Sequence, residues 1–168
     1  MNKSFLSVAF GTICSLGLCA PVLAQEVSFE VNRADEVVEV EASHAVTLDF
    51  AAPFSELSIG DPDISDISSL SDRSVYLLGK SVGSTTLTLI TDHNPPDISH
   101  LVVVVYRDIA PMQVFLEKSV GGVALERNGV VVTALGCVAD DRQQSALEGV
   151  VSQLKAWGYV TLSDVGAC

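Results

Sequence analysis

Between Val37 and Tyr106 the chain alternates apolar and polar residues in short runs, interrupted by turn formers. VVEVEA (37–42) sets valine and glutamate on opposite sides of an extended chain, the pattern of a strand with one wet face. AVTLDF (45–50) follows after Ser43-His44, so these two strands are expected to form a hairpin. ELSIGDP predicts a short strand ending at Gly60, and Asp61-Pro62-Asp63 supplies turn chemistry. DISDISSL (63–70) alternates again, Ser71-Asp72-Arg73 turns the chain, and SVYLLG (74–79) and STTLTLIT (84–91) are the next strands. Two adjacent prolines make DHNPPD a loop, because each removes a backbone donor. LVVVVY (101–106) is apolar throughout, as a central strand buried on both faces would be. The first half therefore predicts about seven strands in an all-β, sandwich-like unit over 27–106.

After Tyr106 the period changes. Ile109, Met112, Leu116 and Val120 recur at helical spacing, Pro111 is tolerated in a first turn, and Gly121-Gly122 stops the helix. VALER (123–127), Asn128-Gly129 and VVVTALG (130–136) read as a hairpin. Asp140 or Asp141 caps a second helix running to about Trp157, with Ala146, Val150 and Leu154 on one side. Gly158 ends it, and YVTLSD (159–164) is a last strand. Helix, strand, strand, helix, strand over 107–168 predicts a small unit with two helices on one face of a sheet, and an α+β class for the chain.

The first 24 residues change the setting. Lys3, an apolar run from Phe5 to about Cys19 and a small-residue ending make a secretory signal peptide cut after Ala24. Cys14 and Cys19 do not fit lipid attachment, since bulky Leu18 precedes Cys19 where a small residue is wanted. No later window is long and apolar enough to span a bilayer, so no transmembrane segment is expected after cleavage, and the periplasm is the expected compartment. The full chain carries a net charge of −12, and the leader's one charged residue is Lys3, so the mature protein is more acidic still. Such a surface repels nucleic acid phosphates and anionic lipid, whose binding needs Lys and Arg to displace counterions.

Cys137 and Cys168 remain in the mature chain, where an oxidising compartment favours a disulfide between them. Two free thiols and an intermolecular bridge are the alternatives. Without a Cys-x-x-Cys pair, redox catalysis has no support.

Gly79-Lys80-Ser81 has the ending of a phosphate-binding loop, yet Ser74 stands where the loop needs its first glycine, and STTLTLIT follows where a helix is needed. A turn between two antiparallel strands explains it better. Asp61, Asp63, Asp66 and Asp72 lack calcium-loop spacing, because Pro62 and Ile64 break it. His44, His93 and His100 lie on three separate turns or strand ends, short of the three placed ligands that zinc needs. Serines are plentiful, but none lies in a Gly-x-Ser-x-Gly elbow. Trp157 and Tyr159, flanking Gly158, read as core packing. No catalytic constellation and no cofactor site is expected, so the chain is read as a non-enzyme.

Several of these residues also carry a resemblance. Phe54, Ile59-Gly60-Asp61-Pro62, Asp66-Ile67, Val75-Tyr76-Leu77-Leu78-Gly79-Lys80, Gly83, Thr85 and Leu87-Thr88-Leu89 follow one another in an order and spacing that span most of residues 35–106. This resembles the N-terminal domain of secretins from Flp/Tad-type pilus assembly, the CpaC/RcpA group. The run Gly129 to Asp140 with a helix after it resembles, more weakly, the small BON-like αββαβ domain that comes next in those secretins. The resemblance implies periplasmic modules that stack in rings and bind other assembly parts. Because the chain stops at Cys168, short of the strands of a pore, a stand-alone accessory protein is expected. Its expected partners are a secretin or another pilus or secretion component, with self-association as a further possibility. An envelope module binding a lipid or glycan through the BON-like unit is the alternative.

Overall fold

Seven strands precede the first helix in the computed structural model, which describes residues 36–168. The leader expected over 1–24 and the first residues of the 27–106 unit lie outside the described residues. The strands are β1 (Glu36–Glu41), β2 (Ala45–Asp49), β3 (Phe54–Ile59), β4 (Ser65–Ser69), β5 (Ser74–Gly79), β6 (Gly83–Thr91) and β7 (Ile98–Tyr106). They form one sheet in the order β1-β7-β6-β3 and a second in the order β2-β5-β4. The inward residues of both sheets share one core, including Val38 and Val40 of β1, Leu48 of β2, Leu77 of β5, Leu87 of β6 and Val103 of β7. The alternation seen in the sequence is thus the alternation between this core and water.

Two expected pairings are corrected. β1 and β2 form no hairpin: β1 runs parallel to β7, with Val38 opposite Val103, while β2 pairs with β5 in the other sheet. Ser43, at a φ of 68°, turns the chain across from one sheet to the other, and its N–H donates to the Gly79 carbonyl at 2.8 Å. Likewise β5 and β6 are not neighbours, so residues 80–82 cross between sheets where a hairpin loop was expected. In both places a short connection looks the same in sequence whether it turns within a sheet or between two.

Beyond Tyr106 come α1 (Ala110–Ser119), β8 (Val123–Asn128), β9 (Val131–Val138), α2 (Asp141–Ala156) and β10 (Val160–Ala167). The sheet order is β10-β9-β8, with β8 antiparallel and β10 parallel to β9. Gly129, at a φ of 58°, takes the first central position of the β8–β9 turn, where such a turn favours glycine. The Asp140 carboxylate accepts from the Gln143 N–H at 2.8 Å and starts α2, and the Gln143 side chain accepts from the Ala139 N–H at 2.8 Å. Leu116 of α1 and Leu147, Val150 and Leu154 of α2 close over Val132 and Ala134 of β9.

The α+β, BON-like description is corrected by this strand content. Strands hold 51% of the described residues and helices 20%, in three sheets with two helices, so the protein is mostly β. Periodicity located both helices but underweighted the strands around them: β10 runs on to Ala167, and β6 and β7 are nine residues each.

The two cores meet at a defined junction. Val82, in the crossing loop after β5, is buried in the second core rather than the first. Gly158, at a φ of 101°, lets the chain pass there, since a Cβ on it would lie 3.0 Å from the Val82 carbonyl oxygen. The buried Tyr159 hydroxyl donates to the Arg107 carbonyl at 2.6 Å and accepts from the Arg107 N–H at 2.8 Å. Arg127 of β8 holds both carboxylate oxygens of Glu39 on β1, at 3.2 and 3.1 Å, and lies 4.4 Å from the centre of the Tyr106 ring. The Glu39 hydrogen bond is the main reason its guanidinium pKa is raised. Burial raises the Tyr159 phenol, partly offset by the Arg107 N–H and the Arg127 charge.

Cys137 near the end of β9 and Cys168 after β10 are bonded, with their Cα atoms 5.2 Å apart. Replacing Cys168 with Ser is expected to cost roughly 3 to 4 kcal/mol, measured by urea unfolding with and without reductant. Intact-mass measurement without reductant checks the bond itself: a mature chain lacking the two-proton mass loss would remove it.

Tyr159→Phe is expected to cost about 1 to 3 kcal/mol, since the Arg107 N–H and carbonyl lose their partner. The phenol is raised in the folded state, so the stability it adds is complete below the unfolded value near 10 and is lost as pH rises through the folded value. Thermal unfolding from pH 8 to 11 should show a steeper alkaline decline in the parent protein than in Tyr159→Phe.

Candidate docking surface

Part of the family pattern, Ile59 to Pro62 with Gly79, Lys80, Gly83 and Thr85, gathers at one end of the two-sheet unit, whereas Phe54, paired with Thr91, and Val75, paired with Ser69, stand toward the other. Gly60 N–H donates to the Thr86 carbonyl at 2.9 Å, and Asp61 N–H donates to the hydroxyl of buried Thr85 at 2.8 Å. The Asp61 carboxylate accepts from the Asp63 N–H, closing the turn around Pro62. Opposite this turn the Ile64 carbonyl accepts from Lys80 N–H at 2.9 Å and Ser81 N–H at 3.2 Å, and Lys80 Nζ donates to the Pro62 carbonyl at 2.6 Å. The two amides and the ammonium that would cradle a phosphate are therefore engaged with the neighbouring turn, and β6 follows rather than a helix. Gly79 is buried where a Cβ would lie 2.7 Å from the Glu41 carbonyl oxygen, and a Cβ on Gly83 would lie 2.7 Å from the Ile64 side chain. Ile59 packs on the first core, Leu78 is half-buried on β5, and Tyr76 stands exposed on the same strand.

The other candidate groups stay apart. Asp66 accepts from the neighbouring Ile67 N–H, as a local turn carboxylate does. His100 pairs with Thr88 across β6 and β7, and His44 lies 3.8 Å from Glu41. Among the described residues no three His, Cys, Asp or Glu side chains come together in a group that could hold a metal. Ser65, Val82 and the Glu39–Arg127 pair are structural residues that sequence reading passed over. Ser65 is buried with its hydroxyl donating to the Leu78 carbonyl at 2.9 Å. Arg127 alone had a visible signal, as a cation in a strand of an acid-rich chain.

What remains open is sheet surface. The two helices cover one face of the β10-β9-β8 sheet, and the other face presents Val160, Leu162 and Asp164 of β10 beside Val131, Thr133 and Leu135 of β9. Val160 and Leu162 are 54% and 55% exposed, among the most exposed large apolar side chains described. Val37 and Val102, paired across β1 and β7, form a second exposed apolar spot, and Val114 and Phe115 of α1 a third. No helix among the described residues is long and apolar enough to cross a membrane.

Residues 34–106 match the family model for the N-terminal region of pilus formation proteins, and this stretch ends on the last residue of β7. An uncharacterized protein of Sinorhizobium fredii, y4xJ, is 30% identical over 90 residues, which cover 54% of this chain and 21% of that protein. The chain thus spans about a fifth of the length of that curated relative. The alignment with the solution structure of amebosin covers 48% of this chain and 98% of that one at 10% identity, with a TM-score of 0.29. The two-sheet unit is similar to a pilus formation domain, a type associated with assembly rather than with a known class of enzyme. If its pattern is structural, Gly79→Ala should cost about 1 to 3 kcal/mol from overpacking against backbone. Lys80→Ala should then cost far less, and ATP should not shift the melting temperature; a nucleotide-dependent shift lost in Lys80→Ala would reverse this assignment.

Proposed function

We propose that the protein is a non-enzymatic periplasmic assembly component of a pilus or related secretion system, of the Flp/Tad type, that works by docking onto a secretin or another pilus component. The match of residues 34–106 to the pilus formation region carries this reading. The fold is consistent with it: the family pattern is consumed in holding two sheets together, which leaves edges and open faces for recognition. The leader-like first 24 residues support export, and an oxidising compartment suits the Cys137–Cys168 bond. The acidic surface favours partners that bring Lys and Arg to the contact.

The test is co-purification of the tagged full-length protein with the secretin of the same cell from envelope extracts. Recovery of the secretin, with loss of surface pili on deletion, is the expected result. Normal pili in the deletion strain together with no secretin in the purified material would reject the reading.

A further inference from the structure

We infer that the free edge of β10 is a strand-addition site for an extended partner segment whose outward face carries apolar residues next to Lys or Arg; this rests on the docking reading above and locates its surface. Val160 N–H donates to the Val130 carbonyl at 3.0 Å and Cys168 N–H to the Val138 carbonyl at 2.9 Å, so the even-numbered residues of β10 bond to β9. Thr161, Ser163 and Val165 then direct their N–H and carbonyl groups to the opposite side, where no described strand pairs with them. A row of unpaired backbone groups is a template for another strand.

Edge strands are normally blunted, and the other edges here are. β2 and β4 are only five residues long, β1 carries Glu36, Glu39 and Glu41, the register of β3 is broken between Phe54 and Glu56, and β8 carries Glu126 and Arg127. β10 is eight residues with an unbroken register and no proline, and its single charged residue is Asp164. The disulfide holds its far end to β9, so an added strand meets an edge already fixed in place.

The open sheet face selects the occupant. Its rows across the three strands are Asn128, Val131 and Val160; Glu126, Thr133 and Leu162; Ala124, Leu135 and Asp164. The charged residues in these rows are Glu126 and Asp164, both acidic. A strand laid beside β10 sets apolar side chains against Val160 and Leu162 and a cationic one against Asp164, because side chains of one face recur every second residue. A partner strand with acids at those positions would be repelled.

The probe is the peptide Lys-Thr-Val-Thr-Val-Thr-Lys, whose face reads the same in either direction, with Glu-Thr-Val-Thr-Val-Thr-Glu as the control. Binding of the lysine peptide, weakened by salt and absent for the glutamate peptide, is expected. Ser163→Pro removes an N–H that β9 does not use and should lower that affinity by about tenfold or more while leaving the circular dichroism spectrum unchanged. Asp164→Lys, which leaves the ladder alone, should reverse the preference between the two peptides. Equal binding of both peptides, or binding untouched by both substitutions, overturns the proposal. So does a dimer of the parent chain that Ser163→Pro makes monomeric, since a second copy then occupies the edge.

Purified secretin, offered to the same proteins, separates the two readings. Loss of both peptide and secretin from Ser163→Pro supports the edge as the docking site. Secretin retained by a variant that has lost the peptide overturns the edge as that site and leaves docking intact. A parent protein that binds the peptide but no secretin keeps the edge and removes the docking reading.

Discussion

The fold depends on how closely the backbone at Gly79 can approach its neighbours. Of the four connections that pass between the two sheets of the first unit, three meet here, β1 to β2, β3 to β4 and β5 to β6, the fourth being β2 to β3. Gly79 joins them. Its N–H donates to the His44 carbonyl at 2.9 Å, its carbonyl accepts from Ser43, and it stands opposite Ser65 in the ladder. A Cβ there would meet the Glu41 carbonyl oxygen as well as the Val40 and Val105 side chains, so any larger residue would push β1 away from the crossing. Because β7 is the one described strand that pairs with β1, such a shift would reach an interior strand of the sheet directly.

The same loop links the two cores. A few residues past Gly79 the chain turns into β6, and on the way it places Val82 among Leu116, Val120 and Tyr159 of the second core. Burying a valine side chain is worth about 1.5 to 3 kcal/mol, whereas an exposed ion pair usually adds at most about 1 kcal/mol. Glu39–Arg127 is partly exposed, so its role is chiefly orientation: two hydrogen bonds and the Tyr106 ring fix the direction from which β8 meets β1. Val82 and the doubly bonded Tyr159 hydroxyl carry more of the cohesion, and both lie out of water.

Sequence pattern showed the elements well and their neighbours poorly. Alternation in VVEVEA marks a strand with a wet face, but not whether Val38 faces Leu48 across the core or Val103 along a ladder, and the parallel partner of β1 is some sixty residues away. Turn chemistry has the same blindness, which is why Ser43-His44 and Lys80-Ser81 read as hairpin turns when they cross between sheets. Strictly local features were legible: a cap at Asp140 or Asp141, which falls on Asp140, Gly158 at the end of α2, and the positions of the two helices. The family pattern was visible too, although its physical meaning was not. Gly60, Asp61, Lys80 and Thr85 serve backbone bonds between turns that lie some twenty residues apart in the chain. Nothing in local spacing reveals such a contact.

The acidity of the chain and the one strand edge left unguarded among the described residues bear on each other. An eight-residue edge with Val160 and Leu162 exposed would ordinarily invite pairing between copies, and this one lacks the lysine, proline or bulge that would block it. A net charge of −12 supplies a different safeguard, because approaching copies repel one another before their edges can meet. That repulsion is screened over roughly 8 to 10 Å at ordinary ionic strength, so it acts most where the charges are close to the contact, as Glu126 and Asp164 are here. The same field attracts a cationic strand. Charge therefore does what edge geometry does elsewhere: it discourages one class of partner and favours another, while the backbone groups of Thr161, Ser163 and Val165 stay available to whichever strand arrives with the right sign.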